Sequence, residues 1–308
     1  MNHTPVLAHS REELTALLAA ARNEGRRVGL VPTMGALHEG HASLMRVARD
    51  RVADGPVVVS IFVNPMQFGE GEDLDRYPRT LDEDLKLCER EGVDIVFAPS
   101  VDEVYPGGEP QVSIEPGPLA TVLEGKTRPG HFRGVLTVVA KLLGLVRPDV
   151  AVFGQKDYQQ LALIRRMVLD LNLAVEVVGA ETQREVDGLA LSSRNRYLDD
   201  EQRQQAVALS RTLLAAREAS VYGVDVALDA ARAELRATTG VDLDYLEITD
   251  PDLGPLPEEP TDGIEGRILI AARIGSTRLI DNMPIIFGTS PEARRPTSTT
   301  PDHRDGDS

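Results

Sequence analysis

Five short Val- and Ile-rich runs recur through the first 180 residues: VGLVP (28–32), VVVSIFV (57–63), VDIVFAP (93–99), VAVFG (150–154) and VEVVGA (175–180). Each is nearly unbroken in apolar residues and is bounded by Pro, Gly, Asn or charged residues, the pattern of a strand buried on both faces. Helical patterns lie between them. Ser10 followed by Glu13, and Thr80 followed by Glu83, each predict a capping box. The stretch from Tyr158 to Asp170 puts Leu161, Ile164 and Val168 on one face, as a packed helix requires. Strands alternating with helices predict a parallel, doubly wound sheet.

The texture changes after about residue 181. Residues 199–238 are rich in Ala, Gln, Arg and Leu and read as two helices separated near Tyr222-Gly223. VDLDYLEITD (241–250) and GRILIAARIGSTRLID (266–281) then read as strands, with a loop, PLPEEPTDGIEG, between them. At roughly 150 residues per domain, a chain of 308 residues suggests two domains. The fold class expected is α/β: a Rossmann-like doubly wound parallel sheet over 1–182, and a smaller C-terminal α+β domain over 183–288. The last stretch, 289–308, is rich in Pro, Ser, Thr and Asp without apolar anchors and is expected to be disordered.

Composition narrows the partners. Lys and Arg number 33 against 49 Asp and Glu, a formal net charge of −16. Such a surface repels phosphate polymers and anionic lipid, so neither nucleic acid nor membrane is an expected partner. A local cationic pocket for a small phosphorylated ligand remains compatible with it. Cys88 is the only cysteine, which leaves no intramolecular disulfide and no cysteine-built zinc site. No apolar run approaches the roughly 18 residues needed to cross a bilayer, and the N-terminal stretch shows no secretory pattern. A cytoplasmic location is expected.

The sharpest motif is PTMGALHEGH (32–41), directly after the first of the five runs. Gly35 and Gly40 allow close approach of backbone to a ligand, and Gly40 is expected to open a helix through His41, Leu44 and Val47. Free N–H groups and the positive end of a helix dipole dispose such a loop to bind an anion. His38 and His41, three apart, can face one ligand. A metal is a weaker reading, since HExxH is lacking and no carboxylate stands out as a third ligand. GQKDYQQL (154–161) sets Lys156 and Asp157 at the carboxyl end of VAVFG, where open α/β sheets bind ligands. SIFVNPMQF (60–68) ends another strand, and its Asn64 and Gln67 are neutral hydrogen-bonders. RPGHFRG (128–134) adds Arg128, His131 and Arg133 as a cationic cluster. Three blocks thus follow the carboxyl ends of three different strands, which share one edge of a parallel sheet.

H-x-G-H at a strand-to-helix turn resembles the HIGH signature of the nucleotidyltransferase superfamily, whose imidazoles contact ATP phosphates. LALSSRN (189–195) resembles the second phosphate-binding motif of that superfamily, with two hydroxyls and a guanidinium as donors. PTMGALHEGH, SIFVNPMQF, RPGHFRGV, FGQKDYQQL and DGLALSSRNRYL, in this order over about residues 25–285, resemble the pantoate–β-alanine ligase family. Gln155 departs from its commoner GEKD block, an exchange expected to have a mild effect.

The resemblance implies condensation of pantoate with β-alanine at the expense of ATP, giving pantothenate, AMP and pyrophosphate through a pantoyl adenylate. It implies that His38 and His41 contact the phosphates, with His41 as proton donor, and that Lys156, Ser192, Ser193 and Arg194 bind the triphosphate. Met34, Gly35, Gly154, Asp157 and the Gln183 backbone would hold adenosine, and Leu191 would also contact ATP. Gln67, Gln160 and Asn64 would bind pantoate. Mg²⁺ would bridge the triphosphate, its protein ligands unassigned. The first domain would bind ATP and pantoate, and the second would act as a lid that keeps water from the intermediate. The family is typically a homodimer. Two other readings compete: an adenylyltransferase acting on a phosphate acceptor, and a nucleotide-sensing module without catalysis. A phosphate acceptor would favour Arg or Lys where Gln67 stands, and a sensor has no use for two amides beside its nucleotide.

Overall fold

The computed structural model describes residues 4–69, 74–257 and 262–288. Its larger sheet consists of β1 (Val6–Ala8), β2 (Gly29–Thr33), β3 (Val57–Ile61), β4 (Ile95–Phe97), β5 (Val150–Gly154) and β6 (Glu176–Ala180). All neighbours are parallel, in the order β1-β4-β3-β2-β5-β6. From β2 the chain walks outward through β3 and β4. It then returns to the other side of β2 to lay down β5 and β6. The order therefore reverses between β2 and β5, and a crevice opens there beyond the carboxyl ends of the strands.

Helices α1 (Arg11–Asn23), α2 (Glu39–Val52), α3 (Leu81–Arg90), α4 (Val101–Val104), α5 (Glu124–Thr127), α6 (His131–Val146) and α7 (Tyr158–Asp170) accompany this sheet. Successive strand residues feed opposite cores, as a pleat requires. Leu30, Val58, Ala151 and Phe153 pack with residues of α1, α6 and α7. Val31, Val57, Val59, Val150 and Val152 pack with Met45 and Ala48 of α2 and Cys88 of α3.

Three expectations are corrected. Strand β1 has no counterpart among the five runs: it is three residues long at a sheet edge, with Val6 exposed and only Ala8 fully buried, too short to show a period. Strand β6 is buried only at Ala180, because it forms the opposite edge. Thr80 does not cap α3, since its hydroxyl turns to Asp84 Oδ1 at 3.3 Å. The Ser10 box does form, with Ser10 Oγ accepting from Glu13 N and Glu13 Oε2 accepting from Ser10 N, both at 3.1 Å.

The smaller sheet is antiparallel: β7 (Val241–Thr249), β8 (Glu265–Ile274) and β9 (Thr277–Ile286), in that order. Helices α8 (Asp200–Ala219) and α9 (Val224–Arg236) cover one face of it, where Ile268, Ile270, Met283 and Ile285 meet Leu209 and Leu213. The other face turns toward the large sheet, and Leu269 packs into the core that contains α7. The expected tail, 289–308, and residues 258–261 of the expected loop lie outside the described residues.

Candidate active site

The crevice between β2 and β5 holds a cavity of about 220 Å³. It opens into an outer cleft of about 710 Å³ beneath the smaller sheet. Met34, His38, His41, Gln67, Gly154, Lys156, Asp157, Gln160, Gln183, Leu191, Ser192, Ser193 and Arg194 all line the inner cavity. Gly35 and Asn64 do not.

Loop 34–38 carries the first of these groups, and a residue that the sequence reading missed shapes it. Asp84, buried on α3, accepts from the backbone N–H of Leu37 at 2.7 Å and of Ala36 at 3.1 Å. Gly35 has φ +84°, and a Cβ there would lie 3.0 Å from Asp84 Oδ2. Burial raises the Asp84 pKa, while the two amide bonds pull it back down. The signal was available: Asp84 sits four residues before buried Cys88, a carboxylate on the inward face of an amphipathic helix.

Helix α2 begins at Glu39, with His38 rather than Gly40 at its mouth. His38 Nδ1 accepts from Gly40 N at 3.1 Å, and His41 Nδ1 accepts from His38 N at 3.2 Å. The two rings form a reciprocal cap, with centroids 4.2 Å apart. A Cβ at residue 40 would fall 2.8 Å from His38 Cε1, so glycine there makes room for the ring. With both Nδ1 atoms accepting, each neutral ring carries its proton on Nε2. Burial, with Lys156 and Arg196 nearby, pushes His38 down to about 4. Burial and the His38 ring push His41 down to about 3. The pair therefore offers neutral donors at neutral pH.

Asn64 and Gln67 occupy the turn after β3. Asn64 is buried and its amide is fully used: Nδ2 donates to Gln67 Oε1 and Gly134 O, and Oδ1 accepts from Tyr105 at 2.8 Å. It holds the turn, while Gln67 reaches the cavity. Gln67 Nε2 donates to Met34 Sδ, a weak acceptor that a ligand oxygen would outcompete. A Cβ at Gly134 would stand 2.1 Å from Met66 O, so α6 packs directly on this turn's backbone. His131 reinforces the turn, its Nδ1 lying 2.8 Å from Gln67 O and its Nε2 3.0 Å from Arg128 Nη1. A carbonyl only accepts and a guanidinium only donates, which fixes the proton on Nδ1. Of the expected cationic cluster, Arg128 and His131 line the outer cleft, whereas Arg133 bonds Ser113 on the surface.

Lys156 and Asp157 stand in the turn between β5 and α7. Gln155 uses both ends of its amide: Nε2 donates to Gly179 O at 3.1 Å, and Oε1 accepts from Arg267 at 3.2 Å. A glutamate could make only the second of these bonds. Ser192 caps the short turn Ser193–Tyr197, accepting from Arg194 N at 3.2 Å. Imidazole N–H groups, an ammonium, two hydroxyls and a guanidinium thus converge on one cavity with two amides beside them. That donor set suits a polyphosphate and a small oxygen-rich acid. Among the described residues no group of three or more His, Cys, Asp or Glu side chains is gathered to hold a metal.

A family model described as pantoate-beta-alanine ligase matches residues 6–284. The chain belongs to the pantoate–β-alanine ligase family. Within that family it is 75% identical over 293 residues to the pantothenate synthetase of Nocardioides sp. (strain ATCC BAA-499 / JS614), a match covering 94% of this chain and 88% of that protein. It is 57% identical over 278 residues to the pantothenate synthetase of Mycolicibacterium smegmatis, covering 90% and 87%. The pantothenate synthetase structure from Thermus thermophilus superposes with a TM-score of 0.83 at 50% identity, covering 90% of this chain and 98% of that one. The pantoate-beta-alanine ligase from Francisella tularensis, complexed with β,γ ATP and β-alanine, superposes with a TM-score of 0.73 at 35% identity, covering 91% and 97%.

Proposed function

We propose that this chain condenses pantoate with β-alanine, converting ATP to AMP and pyrophosphate through a pantoyl adenylate. The observation that carries the reading is the convergence of the H-x-G-H pair, Lys156 and the Ser192–Arg194 turn on the inner cavity that Gln67 and Gln160 also line. In the first half-reaction a pantoate carboxylate oxygen attacks the α-phosphorus of ATP, and the bond to the bridging oxygen breaks, releasing pyrophosphate. Negative charge grows on the leaving group. Lys156, Arg194 and the two Ser hydroxyls supply cation and donors there, and the Nε2–H groups of His38 and His41 donate to phosphate oxygens. In the second half-reaction the neutral amine of β-alanine attacks the acyl carbon of the mixed anhydride, loses a proton, and AMP departs.

Pantoate is a small branched acid with hydroxyls. An apolar wall that includes Phe62, Val138 and Val139 faces its methyl groups, and the Gln67 and Gln160 amides take its oxygens. Met34, Gly154, Asp157, Leu191 and the Gln183 backbone hold the adenosine end, with Gly35 shaping that loop. Mg²⁺ would enter as part of the substrate, carried on the ATP phosphates, where it would offset their negative charge. Residues 1–182 serve as the ATP- and pantoate-binding domain, and 183–288 as the lid over the edge of the sheet. A cytoplasmic homodimer is the working form. The acidic composition and the single cysteine support the location, and the family resemblance supports the dimer. No helix among the described residues is long and apolar enough to cross a membrane.

The test is exchange of labelled pyrophosphate into ATP with pantoate present and β-alanine omitted. A reversible first half-reaction requires pantoate-dependent exchange, and its absence would reject the two-step chemistry.

A further inference from the structure

Two adjacent residues of β9 hold the two segments that reach the inner cavity at Lys156 and at Ser192. Asn282 is 3% exposed, and its Nδ2 donates to the carbonyls of both Gln155, at 2.9 Å, and Lys156, at 2.7 Å. Its Oδ1 accepts from Arg267 Nε at 2.9 Å. Arg267 is itself buried, lies 3.8 Å over the Tyr158 ring, and reaches Gln155 Oε1. Both amide protons of Asn282 are therefore spent on consecutive carbonyls of a single turn. Fixing two carbonyls in a row fixes the two peptide planes that flank the Lys156 Cα, and with them the direction in which the Lys156 side chain leaves the backbone.

Asp281 points to the opposite face, as strand alternation requires. It makes a two-pronged pair with Arg184, at 2.6 and 2.9 Å. Arg184 also donates to Gly188 O at 3.0 Å, closing the bend that leads into Leu191 and Ser192. One strand thus clips both phosphate-facing segments. Asn282 lines the outer cleft but not the inner cavity, whereas Lys156 lines both.

We infer that Asn282 is a positioning residue: its amide holds the 155–156 turn so that Lys156 stands in the inner cavity where the phosphates bind. This rests on the proposed reading of Lys156 as a phosphate ligand. Asn282→Asp keeps the shape and the oxygen that faces Arg267, but sets an acceptor against two carbonyls. In the intact chain the pyrophosphate-exchange rate is expected to fall about 10- to 100-fold, the scale for a misplacement near 1 Å. The ATP Kd rises, and the pantoate KM stays within about twofold. Asn282→Ala, which removes the donor without adding charge, replaces it should the carboxylate variant fail to fold.

The deciding measurement is a double-mutant cycle with Lys156→Ala, read as ATP Kd by calorimetry. A residue that acts through Lys156 costs almost nothing once the ammonium is gone. Losses that multiply in the double variant would overturn the inference, as would unchanged exchange and ATP affinity in the single Asn282 variant. Lys156→Ala with undiminished ATP affinity and exchange would instead reject the reading of Lys156 itself, and the inference with it.

Discussion

Asp84→Asn offers a sharp test of how loop 34–38 is built. The substitution changes one atom in a buried place where Asp84 accepts two backbone N–H groups and the Thr80 hydroxyl. The amide oxygen can keep the shorter bond to Leu37 N. Its –NH₂ group must then face the N–H of Ala36, donor against donor. A hydrogen bond to a charged group is worth roughly 1.5–3 kcal/mol, and an orphaned buried donor costs roughly 1–3 kcal/mol. The two overlap, so a total of about 2–4 kcal/mol is expected. At about 2–4 °C per kcal/mol for a domain of this size, the melting temperature falls by about 4–16 °C. The loop carries Met34 and leads into His38, so its loosening also raises the ATP Kd by about tenfold or more. Calorimetric melting and ATP titration of the same preparation check both numbers. A variant that melts within about 1 °C of the parent and binds ATP equally would refute the account of how this loop is held.

Gly134→Ala drives a methyl group into Met66 O. Overpacking of this kind costs about 1–3 kcal/mol, and because α6 supports the Gln67 turn, the pantoate KM should rise more than the ATP KM; equal changes would argue against that coupling. Arg278 of β9 links α5 to β7, pairing with Glu124 at 2.7 Å and with Asp244 at 2.7 Å. Arg278→Ala leaves two carboxylates facing each other without a cation, a loss of about 3–5 kcal/mol that should appear in the denaturant midpoint. With His38 near 4 and His41 near 3, both rings are neutral from pH 5 to 8, so kcat/KM for ATP in the exchange assay should show no imidazole break near 6.5. A break there that disappears in His41→Ala would contradict the neutral pair. The sign for stability follows: unfolded rings take up protons near pH 6.5 and folded ones only near 3–4, so stability declines as pH drops through that interval.

The β2, β3 and β5 runs were legible because both faces of each strand are buried, which writes an unbroken apolar string into the chain. The blocks that follow them were legible for a related reason: in a parallel sheet, position after a strand already fixes the edge. Asp84 and Asn282 were harder to find, because each acts on backbone far away in sequence, 47 and 126 residues in the closest cases. Local pattern carries no record of such a partner. What it does carry is an anomaly. Asp84 is a charge on an inward helix face, and Asp281-Asn282 is a polar pair inside the otherwise apolar run from Leu279 to Ile286. His38 and His41 were legible as a pair but not as caps, since imidazole seldom serves as an N-cap.

The imidazole cap also bears on which contaminants the crevice picks up. A transition metal needs a ring lone pair, and here both Nδ1 lone pairs are occupied by helix amides while Nε2 is protonated. Chelation by the two rings would first have to move their protons and undo the start of α2. Nickel or zinc carried over from purification therefore has little purchase on this H-x-x-H spacing, despite its likeness on paper to a chelating pair.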